Sequence, residues 1–269
     1  WVCVAAVQRP GFIPTNNSVM RGPTRSGTVA PTNDSSSARE SPMGSIVGFC
    51  DTASLGNDHW PLFDLQVRTP RLTLRYLDDD LAHELVAVAA RGVHDPATMP
   101  FLIPWTDLSS PRLEQEAMRF YWRTRAAVQP DAWSLQFAVL VEGIVVGMCD
   151  LAAEQFGELR QFTTGSWLGQ EFQGHGLGKE FRTAALTLGF DGLGAEFALT
   201  GAWHDNAASR GVTESLGYER TGRRRALRRG VPDEQVEYRM SSEHWASIRR
   251  DDIVVEGISA ARAFLGLED

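Results

Sequence analysis

The sequence predicts a mixed α/β domain: a mostly antiparallel sheet of six to seven strands flanked by about four helices. Three observations carry this prediction. Two apolar runs, WSLQFAVLV and IVVGMCDL, are separated only by Glu142-Gly143, a dipeptide suited to a two-residue hairpin. Four segments repeat apolar residues at helical spacing instead of alternating them. A glycine-rich segment, Gly169 to Gly178, stands between a strand-like run and one of those helices. Strands and helices therefore interleave along one chain, the pattern of a layered α/β domain.

In chain order, the first strand comes from Leu72, Leu74 and Tyr76 alternating with Arg71, Thr73 and Arg75. Asp78, Asp79 and Asp80 then supply a cap and dipole-favouring charge. Leu81, Leu85, Val88 and Ala89 make the face of the first helix, which Gly92 ends. After the loop MPFLIPWTDLSSP, Ser110 as N-cap and Pro111 at the first position open a second helix with Leu113, Ala117, Phe120 and Tyr121 on one face. The hairpin follows, then a third strand at Gln161 to Leu168. Leu177, Phe181, Ala185 and Leu188 mark the helix after the glycine turn. Phe197 to Gly201 is a short strand, and Ala207 to Leu216 a helix closed by Gly217. Runs around Tyr218–Arg225 and Gln235–Met240 read as a closing antiparallel pair.

The flanks differ in composition. Residues 1–66 form a leader, dense in Ser, Thr, Pro, Gly and Asn from Thr15 to Ser45, that cannot bury enough surface to offset its ordering entropy and reads as disordered. The chain starts at Trp1, which fits either a fragment or a start set too far upstream, with Met20 and Met43 as candidate true starts in the second case. The folded domain is expected over 67–245, and Ile258, Ala261, Phe264 and Leu265 suggest a short helical tail over 246–269.

Of the 269 residues, 43% are hydrophobic, enough for one sizeable core. The net charge of -8 argues against a general nucleic-acid coat. Three cysteines without a CxxC pair, and six scattered histidines without HExxH, offer neither a disulfide framework nor a metal site. No apolar run approaches the ~20 residues of a membrane helix. The composition reads as a cytoplasmic protein with no membrane partner.

The most informative segment is Trp167-Leu168-Gly169-Gln170-Glu171-Phe172-Gln173-Gly174-His175-Gly176-Leu177-Gly178. Glycines at alternate positions before a helix allow positive φ and close approach of a ligand, and the N–H groups of the helix start favour an anion such as a diphosphate. The Walker pattern fails, because Gln173 replaces its first glycine and Glu180 follows Lys179. The dinucleotide pattern fails at Lys179, where its last glycine should stand. A plain tight turn is the alternative.

Gln173-Gly174-His175-Gly176-Leu177-Gly178 resembles the Q/R-x-x-G-x-G/A signature of the GCN5-related N-acetyltransferases (GNAT). Asn206-Ala207-Ala208-Ser209 followed by Glu214-Ser215-Leu216-Gly217-Tyr218 resembles a second run found in the RimJ/RimL-like branch, which acetylates ribosomal-protein N-termini. The resemblance spans about Thr69 to Trp245.

It implies the GNAT fold, whose sheet carries a splayed parallel pair at the coenzyme A site, with acetyl-CoA or another acyl-CoA such as succinyl-CoA as co-substrate and no metal. The diphosphate would lie on the turn formed by Gln173, Gly174, His175, Gly176, Leu177 and Gly178. The pantetheine would pair with the strand end Ser166, Trp167 and Leu168. Asn206 would bind the pantetheine or a water, and Ser209 would protonate the departing thiolate. The acceptor would be the amine of a peptide, protein or small molecule. Its pocket draws on Phe101, Trp105, Tyr121 and Trp122. The resemblance also allows a homodimer.

The general base is open. Thr163 stands where relatives often carry Glu, and Glu154, Glu158, His175, His204 and Asp205 are the other candidates. Without a strong base, an amine of low pKa is the easier acceptor. The cluster Arg220, Arg223, Arg224, Arg225, Arg228 and Arg229 leaves several readings: the CoA 3′-phosphate, an acidic protein, a dicarboxylic acyl group, RNA, or a charged strand edge that blocks aggregation.

Overall fold

The computed structural model describes residues 57–267; residues 1–56, most of the expected leader, and 268–269 lie outside the described residues. The described chain forms one nine-stranded sheet in the order β7-β8-β6-β5-β4-β3-β2-β1-β9. The strands are β1 (Gln66–Arg68), β2 (Thr73–Tyr76), β3 (Ala132–Val141), β4 (Ile144–Glu154), β5 (Gln161–Leu168), β6 (Phe197–Trp203), β7 (Glu219–Arg228), β8 (Val231–Ser241) and β9 (Val254–Glu256). Every neighbouring pair is antiparallel except β5 with β6, which is parallel.

The helices are α1 (Asp79–Arg91), α2 (Arg112–Ala126), α3 (Phe156–Leu159), α4 (Leu177–Thr187), α5 (Ala207–Ser215), α6 (Ser242–Ile248) and α7 (Ile258–Phe264). Local chemistry sets their ends. The Asp78 carboxylate accepts from the Leu81 N–H at 2.8 Å and caps α1. Glu142 and Gly143 both take positive φ, as the tight β3–β4 turn requires. Gly217 closes α5 at φ +86°, where a Cβ would also fall 2.2 Å from His244 Nε2. At α2 the expected cap shifts by one residue. Pro111 occupies the cap without a side-chain bond, because the Ser110 hydroxyl donates to Glu114 instead.

Two apolar layers sandwich the sheet. On one face α4 packs Phe181, Ala185 and Leu186 against Cys149, Leu151 and Phe162, with Tyr238 and Trp245 in the same layer. On the other, α1 and α2 set Leu81, Leu85, Met118 and Tyr121 over Ala138, Met148 and Trp167. Alternation along β4 and β5 feeds both layers.

Nine strands and seven helices exceed the expected count. The additions are short: β1 and β9 have three residues each, α3 has four and α6 seven, while α7 is the expected tail helix. Segments of that length carry no readable period. The fold also begins earlier than the expected boundary at 66. Pro61–Asp64 forms a 3-10 turn, and Leu62 and Leu65 are fully buried in the main core. At the other end the expected tail contributes a strand as well as a helix, since β9 pairs with β1 through Val67↔Val255. Leu62→Ala is therefore expected to destabilise the domain by about 2–5 kcal/mol, as a buried leucine does. Chemical denaturation checks this, and an unchanged midpoint would place the segment outside the cooperative fold.

Candidate active site

The glycine segment folds into a tight approach to α4. Gln170–Phe172 makes one 3-10 turn, after which Gln173 is extended. The Gln173 amide donates to Leu168 O at 3.0 Å and Val93 O at 2.7 Å, fastening the end of β5 to the loop after α1. Gly174 and Gly176 take φ of +83° and +74°. A Cβ at Gly174 would meet nothing within 4 Å, so the backbone conformation, not crowding, demands glycine there. Gly176 is the cap residue of α4 and offers no side chain to the first-turn N–H groups. Leu177 and Gly178 are buried at the helix start, whereas Gly174, His175 and Gly176 are exposed.

Arg71 holds this turn from behind. Its guanidinium donates to His175 O and Gly176 O at 3.4 and 3.5 Å. A planar trans peptide then points the Gly176 and Leu177 N–H groups the opposite way. Glu180 anchors Arg71 by an ion pair and accepts from Thr69 Oγ1 at 2.6 Å. Burial opposes the Glu180 charge, yet the bonds from Thr69 and Arg71 hold its carboxyl below the usual range. A carboxylate in the first turn of α4 is thus neutralised locally and leaves the helix start receptive to an anion. A cavity of about 460 Å³ opens beside it, lined by Arg71, Gly176, Lys179, Gly217, His244 and Arg250 among others.

Next to the turn, the sheet parts. β5 pairs with β6 only from Gln161↔Phe197 to Thr163↔Leu199. β6 then stays with β8 as far as Trp203↔Gln235, while β5 stays with β4 as far as Leu168↔Gly147. A wedge opens between Thr164–Leu168 and Thr200–Trp203, and Ser166, Trp167 and Leu168 lie along its β5 side. The Ser166 hydroxyl is buried and has no hydrogen-bond partner among the described residues. Across the wedge, the Asn206 Oδ1 accepts from the Ser209 N–H at 3.1 Å, capping α5. Ser209 is 1% exposed, and its hydroxyl also lacks a partner among the described residues.

The aromatic candidates divide. Trp105 stands in a ladder with Phe101 and Trp167, at ring-centroid distances of 5.2 and 5.8 Å, on the α1–α2 side of β5. Tyr121 lies in the core under α1 and α2, where burial pushes its phenol pKa up. Trp122 is exposed on the outer surface and donates to Asp79. The Thr163 hydroxyl donates to Ala152 O. His175, His204, Asp205 and Glu158 are exposed, and Asp205 is paired with Arg228.

Much of the arginine cluster is engaged internally. Arg229 makes two bonds to the Asp107 carboxylate and one to Pro96 O. Arg228 reaches Met99 O, Asp205 and Asp233. Arg223 pairs with Glu234, and Arg224 donates to Gln235. The β7–β8 hairpin thereby clamps the α1–α2 loop that carries Trp105.

Sequence reasoning missed Asp150. Its one signal was a charged residue inside the apolar run IVVGMCDL. Asp150 is 4% exposed, and its Oδ1 has no partner among the described residues. Burial is the main reason its pKa rises to about 7, against the lowering pull of Arg182 on α4. Arg182 is itself fully buried, with Tyr218 and Cys149 near it.

A family model for the acetyltransferase (GNAT) domain matches residues 71–219. The chain belongs to the GNAT family. The matched span contains the turn, the wedge and α5, and GNAT enzymes are acyl-CoA-dependent N-acetyltransferases. Solved structures agree on the GNAT fold. A GCN5-related N-acetyltransferase from Brucella melitensis is 18% identical, with TM-score 0.55, over 74% of this chain and 85% of its own. Mycobacterium smegmatis RimJ in complex with CoA-disulfide is 14% identical, with TM-score 0.54, over 70% and 95%. The microcin C7 self-immunity acetyltransferase MccE, in complex with acetyl-CoA and AMP, is 16% identical, with TM-score 0.52, over 64% and 93%. Among the described residues, no helix is long and apolar enough to cross a membrane, and no group of three or more His, Cys, Asp or Glu could hold a metal.

The Asp150 environment has a consequence for stability. A carboxyl whose folded pKa lies above its unfolded value of ~3.9 favours the folded state below pH 4, and that advantage is lost as pH rises toward 7. The loss is of order 4 kcal/mol for a shift of this size. Asp150→Asn is expected to be more stable than the parent at pH 7.5, with the gap narrowing as pH falls to 4. Thermal unfolding across that range checks the sign.

Proposed function

We propose that this GNAT enzyme transfers the acetyl group of acetyl-CoA to an amine by direct attack in a ternary complex. The acceptor is the α-amine of a peptide or protein, or a small amine of similar basicity. One observation supports this most: two parallel strands part after Thr163 and Leu199, immediately ahead of a glycine turn whose exposed amides start a helix. Backbone groups left unpaired inside a sheet are costly, and an extended pantetheine arm along Ser166–Leu168 satisfies them as an added strand does. The diphosphate then rests on the amides from Gly174 to Gly178. The nucleotide end has room in the basic cavity around Arg71 and Lys179.

Ser209 suits the role of proton donor to the thiolate, because it is a buried hydroxyl with an uncommitted proton. Asn206 serves as its positioning residue through the α5 cap. The motif pair supports a RimJ/RimL-like reading of this GNAT enzyme. An α-amine of pKa ~8 is substantially neutral near pH 7.5, whereas a lysine of ~10.4 is almost wholly charged, which favours the former as acceptor. Acetyl is favoured over succinyl as the donor, since Arg223, Arg228 and Arg229 of the arginine cluster are already paired with carboxylates of this chain.

Gly176→Glu places a charged side chain at φ +74° on the helix start and is expected to abolish acetyl-CoA binding in calorimetry while leaving the circular dichroism spectrum intact. Ser209→Ala is expected to lower kcat at least tenfold with acetyl-CoA affinity within threefold of the parent. Amine-dependent release of free thiol is the activity measured. If acetyl-CoA binds and no amine in a broad panel releases thiol, the transferase reading fails.

A further inference from the structure

The reaction needs a group that takes the proton of the incoming ammonium. Thr163 has no basic atom at neutral pH. Glu158, His175, His204 and Asp205 are exposed, and the last of these is bound to Arg228. Glu154 is half-buried at the end of β4, two residues past the last position paired with β5. Asp150 differs from all of them.

Its position follows from register. Asp150 lies opposite Gln136 on β3 and opposite Gly165 on β5. Directly opposed residues share a face, so Asp150, Gly165, Thr163, Met148 and Trp167 all project to the α1–α2 side. That is the side of the Phe101–Trp105–Trp167 ladder. Gly165 is two residues beyond Thr163, the last β5 residue paired with β6. Asp150 therefore sits one strand away from the point where the wedge opens, and the residue between them has no side chain.

The Asp150 carboxyl is met by the backbone N–H groups of Asp150 and Gly165, and no side chain hydrogen-bonds it among the described residues. Asp150 Oδ1 and Gln136 Nε2 are both buried and without hydrogen-bond partners among the described residues, although they occupy adjacent strands. Neither opposed position carries an ionisable group. The charged and titratable groups that act on Asp150 are Arg182, from α4 behind the sheet, and its neighbour Cys149, whose thiol burial pushes up to about 12 and keeps neutral. A carboxylate oxygen kept dry and unmatched beside an opening is fit to receive an external cation.

We propose that Asp150 is the general base of this enzyme and binds the acceptor ammonium at the mouth of the β5–β6 wedge. The proposal rests on the acyl-transfer reading above. Asp150 takes one proton from the ammonium, and the freed nitrogen lone pair attacks the thioester carbonyl. The resulting intermediate collapses with cleavage of the carbon–sulfur bond. The second nitrogen proton balances the departing thiolate, which leaves as free thiol by way of Ser209. Asp150 returns its proton to solvent, so one amide, one thiol and one proton are formed.

The test compares the parent enzyme with Asp150→Asn, Asp150→Glu and Arg182→Met, using acetyl-CoA and a peptide with a free N-terminus. In the parent, kcat rises with pH through an inflection near 7. Asp150→Asn lowers kcat about 10²–10³-fold. Its residual rate follows the ionisation of the peptide amine, near 8. Asp150→Glu recovers part of the rate and keeps an enzyme-borne inflection. Arg182→Met moves the inflection upward, because a cation that favours the carboxylate is gone. Acetyl-CoA dissociation constants, from calorimetry, stay within threefold for both Asp150 variants. The proposal is overturned if Asp150→Asn keeps more than a third of the parent kcat at every pH, or if its acetyl-CoA affinity falls in step with its rate. A parent enzyme that binds acetyl-CoA and turns over no amine defeats the transferase reading itself, an outcome separate from either of these.

Discussion

The separation of β5 from β6 after three paired positions is the constraint on which the rest of the molecule turns. A sheet does not leave backbone donors and acceptors unmatched without cause, since each buried unpaired group costs about as much as a lost hydrogen bond. Both strands are held apart by other partners. β4 keeps β5 in register up to Leu168, and β8 keeps β6 in register up to Trp203. The gap is therefore built by the flanking ladders and does not depend on any residue inside it. The start of α4 and the start of α5 stand on its two sides, so exposed helix-start amides and a buried hydroxyl border one groove.

The supports of that groove come from distant parts of the chain. Thr69 and Arg71, ahead of β2, hold the turn before α4 through Glu180. Gln173 ties the end of β5 to the loop after α1. Each contact joins segments about a hundred residues apart or stitches a strand end to a loop, so the groove forms only when the whole sheet has closed. None of these side chains reaches into the wedge. Their work is to fix backbone amides and carbonyls in direction.

Most of this architecture was readable from local pattern. The β3–β4 hairpin declared itself through Glu142-Gly143, and the turn before α4 through glycines at the positions where φ is positive. What escaped reading was non-local. Strands β1 and β9 are three residues long, and β9 exists because it pairs with β1, 190 residues earlier between Gln66 and Glu256. Leu62 and Leu65 sit beside a polar leader, so composition averaged over a window hid them. Asp150 was concealed by its own surroundings, since an acidic residue within an apolar strand acquires meaning only once Gly165 is placed opposite it. The arginine cluster misled in the other direction. Six like charges in sequence suggest a free basic surface, but Arg228 and Arg229 are committed to Asp205, Asp233 and Asp107.

That commitment has a mechanical reading. Trp105 and its loop are fastened to the tip of the β7–β8 hairpin by Arg229 on Asp107 and by Arg228 on the Met99 carbonyl. The Arg229–Asp107 pair is partly open to water and so weakens with ionic strength, whereas the backbone amides before α4 are covalently placed and do not. The two halves of the groove consequently answer to different influences. Salt loosens the Trp105 loop and leaves the turn before α4 unaltered in shape, so one border of the groove is adjustable from a hairpin in a distant part of the chain while the other is not.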